Sequence, residues 1–469
     1  MNEKHRKTAQ SDKIPFGKKL AYGMGGMNDT LMNNAFHNIA NPILNMTLHV
    51  SPTLIAWALF IPNLWNAFSD PICGHISDQA RFKKGRRLPF LIPGALVAAL
   101  ALIGLWGFLP EGLSNMQYFW ITLVGAMVFF TGTTIFLVPY NGLGFEMTGD
   151  YHERTRLMFI RSIMANVSGL LLPWIAAVLF WDGFASPLRA VLWLSAGISV
   201  VFLLAAFFPA KFCEERLHDV AIKQQRVSIW AAIKETLQNK PFLIVLCTIL
   251  LLVMSYFTAD LSGQYLIIYY MFEGVKSDGA ALLGMNGTIN TIVSLAAIPL
   301  ATWLSLKIGK RHVIISFMLL AGVGAALRWF LYTPGNPYLI FISTAMIAPG
   351  FSALWLLIPS LLADVCDYEE LKSGRRAEGT LGAMYSWVNK LAFSLAFLIA
   401  NLSLDWVGFD VELNADQTDA TFLKMRMLFV LIPAIGFSTG ALAMWRYSLT
   451  EKRMYEIKAE LETRRAENK

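Results

Sequence analysis

Long apolar runs constrain this chain more than any other feature. Leu88 to Leu109, Pro187 to Pro209 and Phe422 to Trp445 carry almost no charge. A run of roughly twenty residues, at about 1.5 Å per residue, crosses the ~30 Å hydrocarbon core of a bilayer. A helix on the surface of a soluble domain keeps a polar face each turn, and these runs do not. The rest of the sequence agrees, with 55% hydrophobic residues and only 15% charged. Soluble domains average about 25% charged. The chain therefore reads as an all-α membrane protein rather than as two or three soluble domains.

Twelve spans are expected, near Leu20–Thr47, Thr53–Ser77, Leu88–Leu109, Gln117–Glu146, Thr155–Trp181 and Pro187–Pro209, then Pro241–Met271, Gly279–Leu306, His312–Tyr332, Pro337–Ala363, Gly379–Leu404 and Thr421–Arg446. This divides the chain into a terminal segment 1–19, a six-helix bundle 20–210, a polar linker 211–240, a second bundle 241–448 and a tail 449–469. Every second loop is basic, as in Arg81 to Arg87 and Lys307, Lys310 and Arg311. The alternate loops carry acids such as Glu111, Asp182, Glu273 and Asp410. Basic loops stay cytoplasmic, so both termini are expected there, in the plasma (inner) membrane. The net charge of +7 then reflects these loops and implies no nucleic-acid partner. No cleavable leader is expected, because the first eighteen residues are polar and basic. The charged tail from Glu451 is expected to be helical and solvated. Cys73, Cys213, Cys247 and Cys366 lack metal-ligand spacing and are expected to be small buried residues.

The halves repeat each other. Gly85-Arg86-Arg87 after span two matches Gly309-Lys310-Arg311 after span eight. Asp150-Tyr151-His152-Glu153 after span four matches Asp367-Tyr368-Glu369-Glu370 after span ten. Two such halves are the plan of the major facilitator fold, with its site between them at mid-membrane. Further stretches are Lys19-Leu20-Ala21-Tyr22-Gly23, Asp70-Pro71 with Gly74 and Ser77-Asp78, Pro139-Tyr140, Arg154-Thr155, Asp364 and Gly374-Arg375. In this order, over nearly the whole chain, they resemble the glycoside–pentoside–hexuronide:cation symporter family of the major facilitator superfamily. The resemblance implies a secondary active transporter, not an enzyme, that moves a sugar-like solute with a cation and holds no cofactor.

Polar groups within the spans are costly and therefore informative. Span one carries Asn28, Asp29, Asn33, Asn34, His37, Asn38, Asn41 and Asn45. Asn34, His37 or Asn38, Asn41 and Asn45 share one helix face. That face reads as a hydrated wall for a polyhydroxylated solute, with inter-helix hydrogen bonding as its alternative use. Asn63, Asn66 and Asp70 share a face of span two. The resemblance implies a cation site at Asp70, with Asn66 in place of a second aspartate and Thr134 sharing the site. Arg161 and Lys390 lie deep in spans five and eleven, which are equivalents in the two halves. Both match basic residues of the family. Its sugar-binding aspartate and stacking tryptophan on span four are matched by Leu137 and Asn141. Its aspartate on span one falls at Thr30, one residue from Asp29. One negative charge is lost while both cations remain, which favours an acidic sugar such as a uronide or sulfo-sugar. Tyr256, Asp260 and Gln264 on span seven, with Trp387 and Asn389, are candidates for the opposite wall.

The coupling ion is expected to be a proton, with Na⁺ as the alternative, since Asn66 removes the second carboxylate that would favour Na⁺. Charged groups at the loops, among them Asp78, Arg86, Arg87, Asp150, Glu153, Asp367, Arg375 and Arg376, are expected to hold an outward-facing state closed. The other partner is membrane lipid, and the chain is expected to act as a monomer. The rival readings are a lysophospholipid transporter of the same superfamily and, outside it, a channel or a membrane-embedded enzyme. No Gly-x-x-x-x-Gly-Lys-Ser/Thr loop is present to bind ATP.

Overall fold

The computed structural model describes residues 13–82, 85–148, 151–215, 238–373 and 378–467. The side chain of Asp78, and Asp150, Arg375 and Arg376, lie outside the described residues. The chain divides into two compact units, whose described parts run over 13–215 and 238–467.

The first unit contains α1 (Phe16–Leu44), α2 (Pro52–Gln79), α3 (Leu88–Leu102), α4 (Asn115–Glu146), α5 (Tyr151–Gly169), α6 (Ile175–Leu179) and α7 (Pro187–Phe212). The second contains α8 (Lys240–Tyr265), α9 (Lys276–Ile308), α10 (Lys310–Leu331), α11 (Ile340–Ser373), α12 (Glu378–Val407), α13 (Asp419–Trp445) and α14 (Glu451–Glu467). No strand occurs among the described residues beyond a single Phe82–Gly85 bridge. Helix starts follow local chemistry. Ser114 and Gln117 close a capping box on α4, and Asn239 and Thr418 cap α8 and α13.

Ten helical stretches among the described residues are long and apolar enough to cross a bilayer. At 29 and 28 residues, α1 and α2 are also long enough but too polar to join them. Their amides and aspartates are the reason. With α5 and α6 taken as one span, these helices account for the twelve expected. The break within span five was not foreseen. Pro173 lacks an N–H and its ring clashes with the preceding turn, so the chain passes through a 3₁₀ turn at Leu172–Trp174 before α6.

The two units repeat each other in packing as well as in sequence. In the first, α3 packs on α4 and α7, α1 on α5 and α7, and α2 on α4. In the second, α10 packs on α11 and α13, α8 on α12 and α13, and α9 on α11. These are the same five pairings, span for span. Each unit has its own core. Phe36, Trp106, Phe129 and Phe130 cluster in one, with ring centroids 5.1–5.7 Å apart around Phe36. Tyr256, Phe257, Phe351 and Phe393 cluster in the other.

Two expectations need correction. The tail is helical, but it is not solvated all round: Met454, Ile457 and Leu461 are buried in the second core. Their spacing places them on one face of α14, and Arg464 donates to the Leu371 carbonyl at 2.7 Å. Cys73, Cys213 and Cys366 are buried, whereas Cys247 is exposed on α8.

Candidate transport site

Two polar clusters form within the first unit. The lower-charge one lies between α2 and α4. Asn66 and Ser69 are buried on α2, with Asp70 beside them, and Thr134 is buried on α4. The Thr134 Oγ1 lies 2.8 Å from Asn66 Oδ1, 3.0 Å from Asp70 Oδ1 and 3.0 Å from Ser69 Oγ. Three oxygens thus gather around the Thr134 hydroxyl, one of them from a carboxylate. The structure brings together Asp70, Asn66 and Thr134, and it adds Ser69. Ser69 was legible as the neighbour of Asp70, but only the helix crossing turns it towards Thr134.

The second cluster joins α1, α4 and α5. Arg161 Nη2 donates to Asp29 Oδ2 at 2.6 Å and to Asn141 Oδ1 at 2.7 Å. Its guanidinium also stands 5.5 Å from the Tyr140 ring centre, and Tyr140 stacks on Tyr22 at 4.8 Å. The Tyr140 hydroxyl donates to the Tyr22 carbonyl at 2.8 Å. The Arg161–Asp29 pair is half-buried, at 25% and 31% side-chain exposure. Close helix approach makes this possible. A Cβ on Gly26 would fall 2.7 Å from the Arg161 carbonyl oxygen, so the close approach of α5 at Arg161 requires that α1 has no side chain there. Tyr22 and Tyr140 lie in the quoted sequence stretches, but nothing in the spacing marked them as a platform under Arg161.

The amides of α1 differ in their partners. Asn28 donates to the Phe202 carbonyl of α7 at 2.9 Å, and Asn45 to the Val50 carbonyl at 2.9 Å; both are buried. Asn34 and Asn38 are half-buried and donate to the carbonyls of Thr30 and Asn34 on their own helix. Their amide oxygens are thereby turned outward from the helix backbone. Asn41 is buried. His37 is buried too, with Nε2 3.2 Å from Asn63 Nδ2 and its ring against Phe130. Leu137 lies one turn from both Thr134 and Asn141 and is buried.

In the second unit, Gln264 donates to Asp260 Oδ2 at 3.1 Å on α8. Tyr256, one turn earlier, packs on Phe351. Sequence reading missed Arg328, which is buried within α10 and lies 4.2 Å over the Phe429 ring. An arginine in the last turn of an apolar span was a readable signal. Lys390 is half-buried on α12, and Trp387 is 40% exposed on the preceding turn.

The helix ends carry charged groups in equivalent places. Glu146 at the end of α4 takes Arg86 and Arg87 from the start of α3. Asp364 near the end of α11 takes Lys310 from the start of α10 at 2.6 Å. Glu153 accepts from Lys19 at 2.5 Å, from the Ile14 N–H at 2.9 Å and from Arg156 at 3.1 Å.

Twelve spans in two like-packed bundles, with ionisable clusters inside the spans, define a multi-pass membrane transporter. The chain belongs to the MFS/sugar transport protein family, whose sequence profile matches residues 21–451. It is 24% identical to the isoprimeverose transporter of Lactiplantibacillus pentosus, over 97% of this chain and 93% of that one. It is 22% identical to the glucuronide carrier protein homolog of Escherichia coli strain K12, over 87% of each. Its fold resembles that of the xylose transporter XylE from E. coli, with a TM-score of 0.62 over 92% of this chain and 99% of that one at 16% identity.

Proposed function

We propose that the protein is a cation-coupled symporter of a sugar or glycoside bearing an acidic group. One observation carries this reading: Thr134 and Asn141 lie seven residues apart on α4. Seven residues are two turns, so both project from one face at about 10 Å separation. The oxygen cluster at Asp70 and the guanidinium cluster at Arg161 therefore share one helix. Ion occupancy at the first changes the charge and position of α4 beside the second. That is the linkage symport requires, since a ligand shifts an equilibrium only through differential contacts.

Arg161 suits the acidic group of the solute. Its planar fork pairs with carboxylate or sulfonate; Asp29 and Asn141 occupy Nη2, while Nη1 meets the weak acceptor Met158 Sδ at 3.9 Å. The half-buried amides of Asn34 and Asn38 would meet sugar hydroxyls, and His37 and Asn41 lie deeper behind them. Lys390, Asp260, Gln264 and Trp387 are proposed to contribute from the second unit. The names of relatives that carry isoprimeverose and glucuronide fit a glycoside or uronide.

A proton is proposed as the coupling ion, because one carboxylate suffices for it. A second reading, Na⁺, draws on the side-chain oxygens of Asn66, Ser69, Asp70 and Thr134, since a hard cation takes oxygen ligands. Both termini are proposed to be cytoplasmic, and the single chain to be the working unit. Proteoliposomes loaded under either a pH gradient or a Na⁺ gradient decide the ion. Uptake of a uronide against its uncharged parent sugar tests the solute. Preference for the uncharged sugar, or for a lysophospholipid, would overturn the acidic-sugar assignment.

A further inference from the structure

The second unit holds a cavity of about 490 Å³ where the α9–α10 turn meets the start of α14. Lys310, Arg311, His312 and Lys452 line it, with Asp364 and Glu451. Lys310 is paired with Asp364, which leaves Arg311 and Lys452 against the single acid Glu451. Arg311 donates through Nη2 to the Trp445 carbonyl, while its Nε is sheltered from solvent with no hydrogen-bond acceptor among the described residues. The cavity is thus a cationic recess rather than a neutral gap.

The internal repeat indicates what belongs there. In the first unit, the equivalent place is the start of α3. There Glu215, from the segment after α7, accepts from the N–H groups of Arg86, Arg87 and Leu88 at 2.9, 2.8 and 3.0 Å. One anionic group satisfies three donors that a helix start leaves unpaired. In the second unit, α10 starts after Gly309 (φ +82°) with no side-chain cap. The acid after α13 is Glu451, which lies near Gly309 but accepts none of these N–H groups among the described residues. The same architecture therefore takes a carboxylate of its own in one unit and presents an open cationic recess in the other.

The rim identifies the source of the anion. Leu306 and Ile308 line the cavity and are 79% and 46% exposed, and Trp303 and Trp445 beside it are exposed as well. An apolar rim beside a cationic recess matches an anion tethered to acyl chains. We propose that this cavity binds the phosphate of an acidic phospholipid, with Arg311, Lys452 and the α10 N-terminus as its donors. Basic recesses next to spans bind such headgroups through the same charge-assisted bonds.

The test titrates the purified full chain, in uncharged detergent, with dihexanoyl phosphatidylglycerol, dihexanoyl phosphatidylcholine or inorganic phosphate. Native mass spectrometry and the thermal unfolding midpoint are the readouts. The phosphatidylglycerol should bind and raise the midpoint, and the other two should do neither at equal concentration. Arg311→Gln should weaken its binding about ten-fold, the equivalent of ~1.4 kcal/mol for one charge-assisted contact. Lys452→Gln, at an exposed position that leaves the fold intact, should weaken it comparably. An equal response to phosphatidylcholine, displacement by inorganic phosphate at equal concentration, or unchanged affinity in both variants would overturn the proposal.

Discussion

Arg161 is where charge and shape meet in the first unit. It lies between Asp29 and Asn141, above the Tyr140 ring, and a guanidinium so held keeps its donors in a fixed fork. Arg161→Gln removes the charge and the fork together. Affinity for an acidic sugar should fall roughly ten-fold or more, because each charge-assisted bond contributes about 1.5–3 kcal/mol. Affinity for the uncharged parent sugar should change far less. Equilibrium binding of the two sugars to wild type and variant checks this. Asp29→Asn should have the opposite selectivity, raising affinity for the acidic sugar by releasing Arg161 from its internal partner. Asp70→Asn should abolish gradient-driven accumulation and spare exchange of solute across the membrane. Full accumulation by that variant would remove Asp70 from the coupling site.

At the scale of helices, the contact of α1 with α5 decides whether the Arg161 cluster forms. Gly26→Val would press a branched side chain into the α5 backbone at Arg161, and overpacking of this kind costs about 1–3 kcal/mol. Gly17→Ala serves as the control, since a Cβ there meets nothing within 4 Å. The unfolding midpoint should drop for the first and hold for the second. Glu153 ties the start of α5 to the segment before α1. Its burial pushes the carboxyl up, but hydrogen bonds from Lys19 and the Ile14 N–H, with the charge of Lys19, outweigh this and hold it below its ordinary value of 4.5. A carboxyl held low in the folded state stabilises fully above its unfolded value. That stabilisation is lost as pH falls through the folded value. Heat stability should therefore decline on acidification below about pH 4.5, and less steeply in Glu153→Gln. Thermal unfolding measured from about pH 6 to about pH 3 tests the difference in slope.

At the scale of the whole molecule, the repeat organises both packing and charge. The pairings of α3 with α4 and of α10 with α11 are each clamped at one end by an acid and a base, Glu146 with Arg86 and Arg87, and Asp364 with Lys310. The sequence alone determined the membrane class, the number of spans and the two-fold plan, because run length and loop charge are local properties that the bilayer reads directly. It also marked Asp70, Asn66 and Thr134, through the family resemblance, and Arg161, through its depth in a span. It did not determine what those groups touch. The buried face of α14 depended on neighbours, as did the bond from Asn28 to the α7 backbone, whereas Asn34, Asn38 and Asn45 bond backbone within a few residues of themselves. Only the tertiary structure placed Ser69 beside Thr134, Tyr140 under Arg161 and Asp29 against it. The physical reason is that helix periodicity assigns a residue to a face, whereas the partner of that face is set by which helices cross there. The crossing depends on residues such as Gly26 and Tyr22, whose fit involves residues more than a hundred positions away.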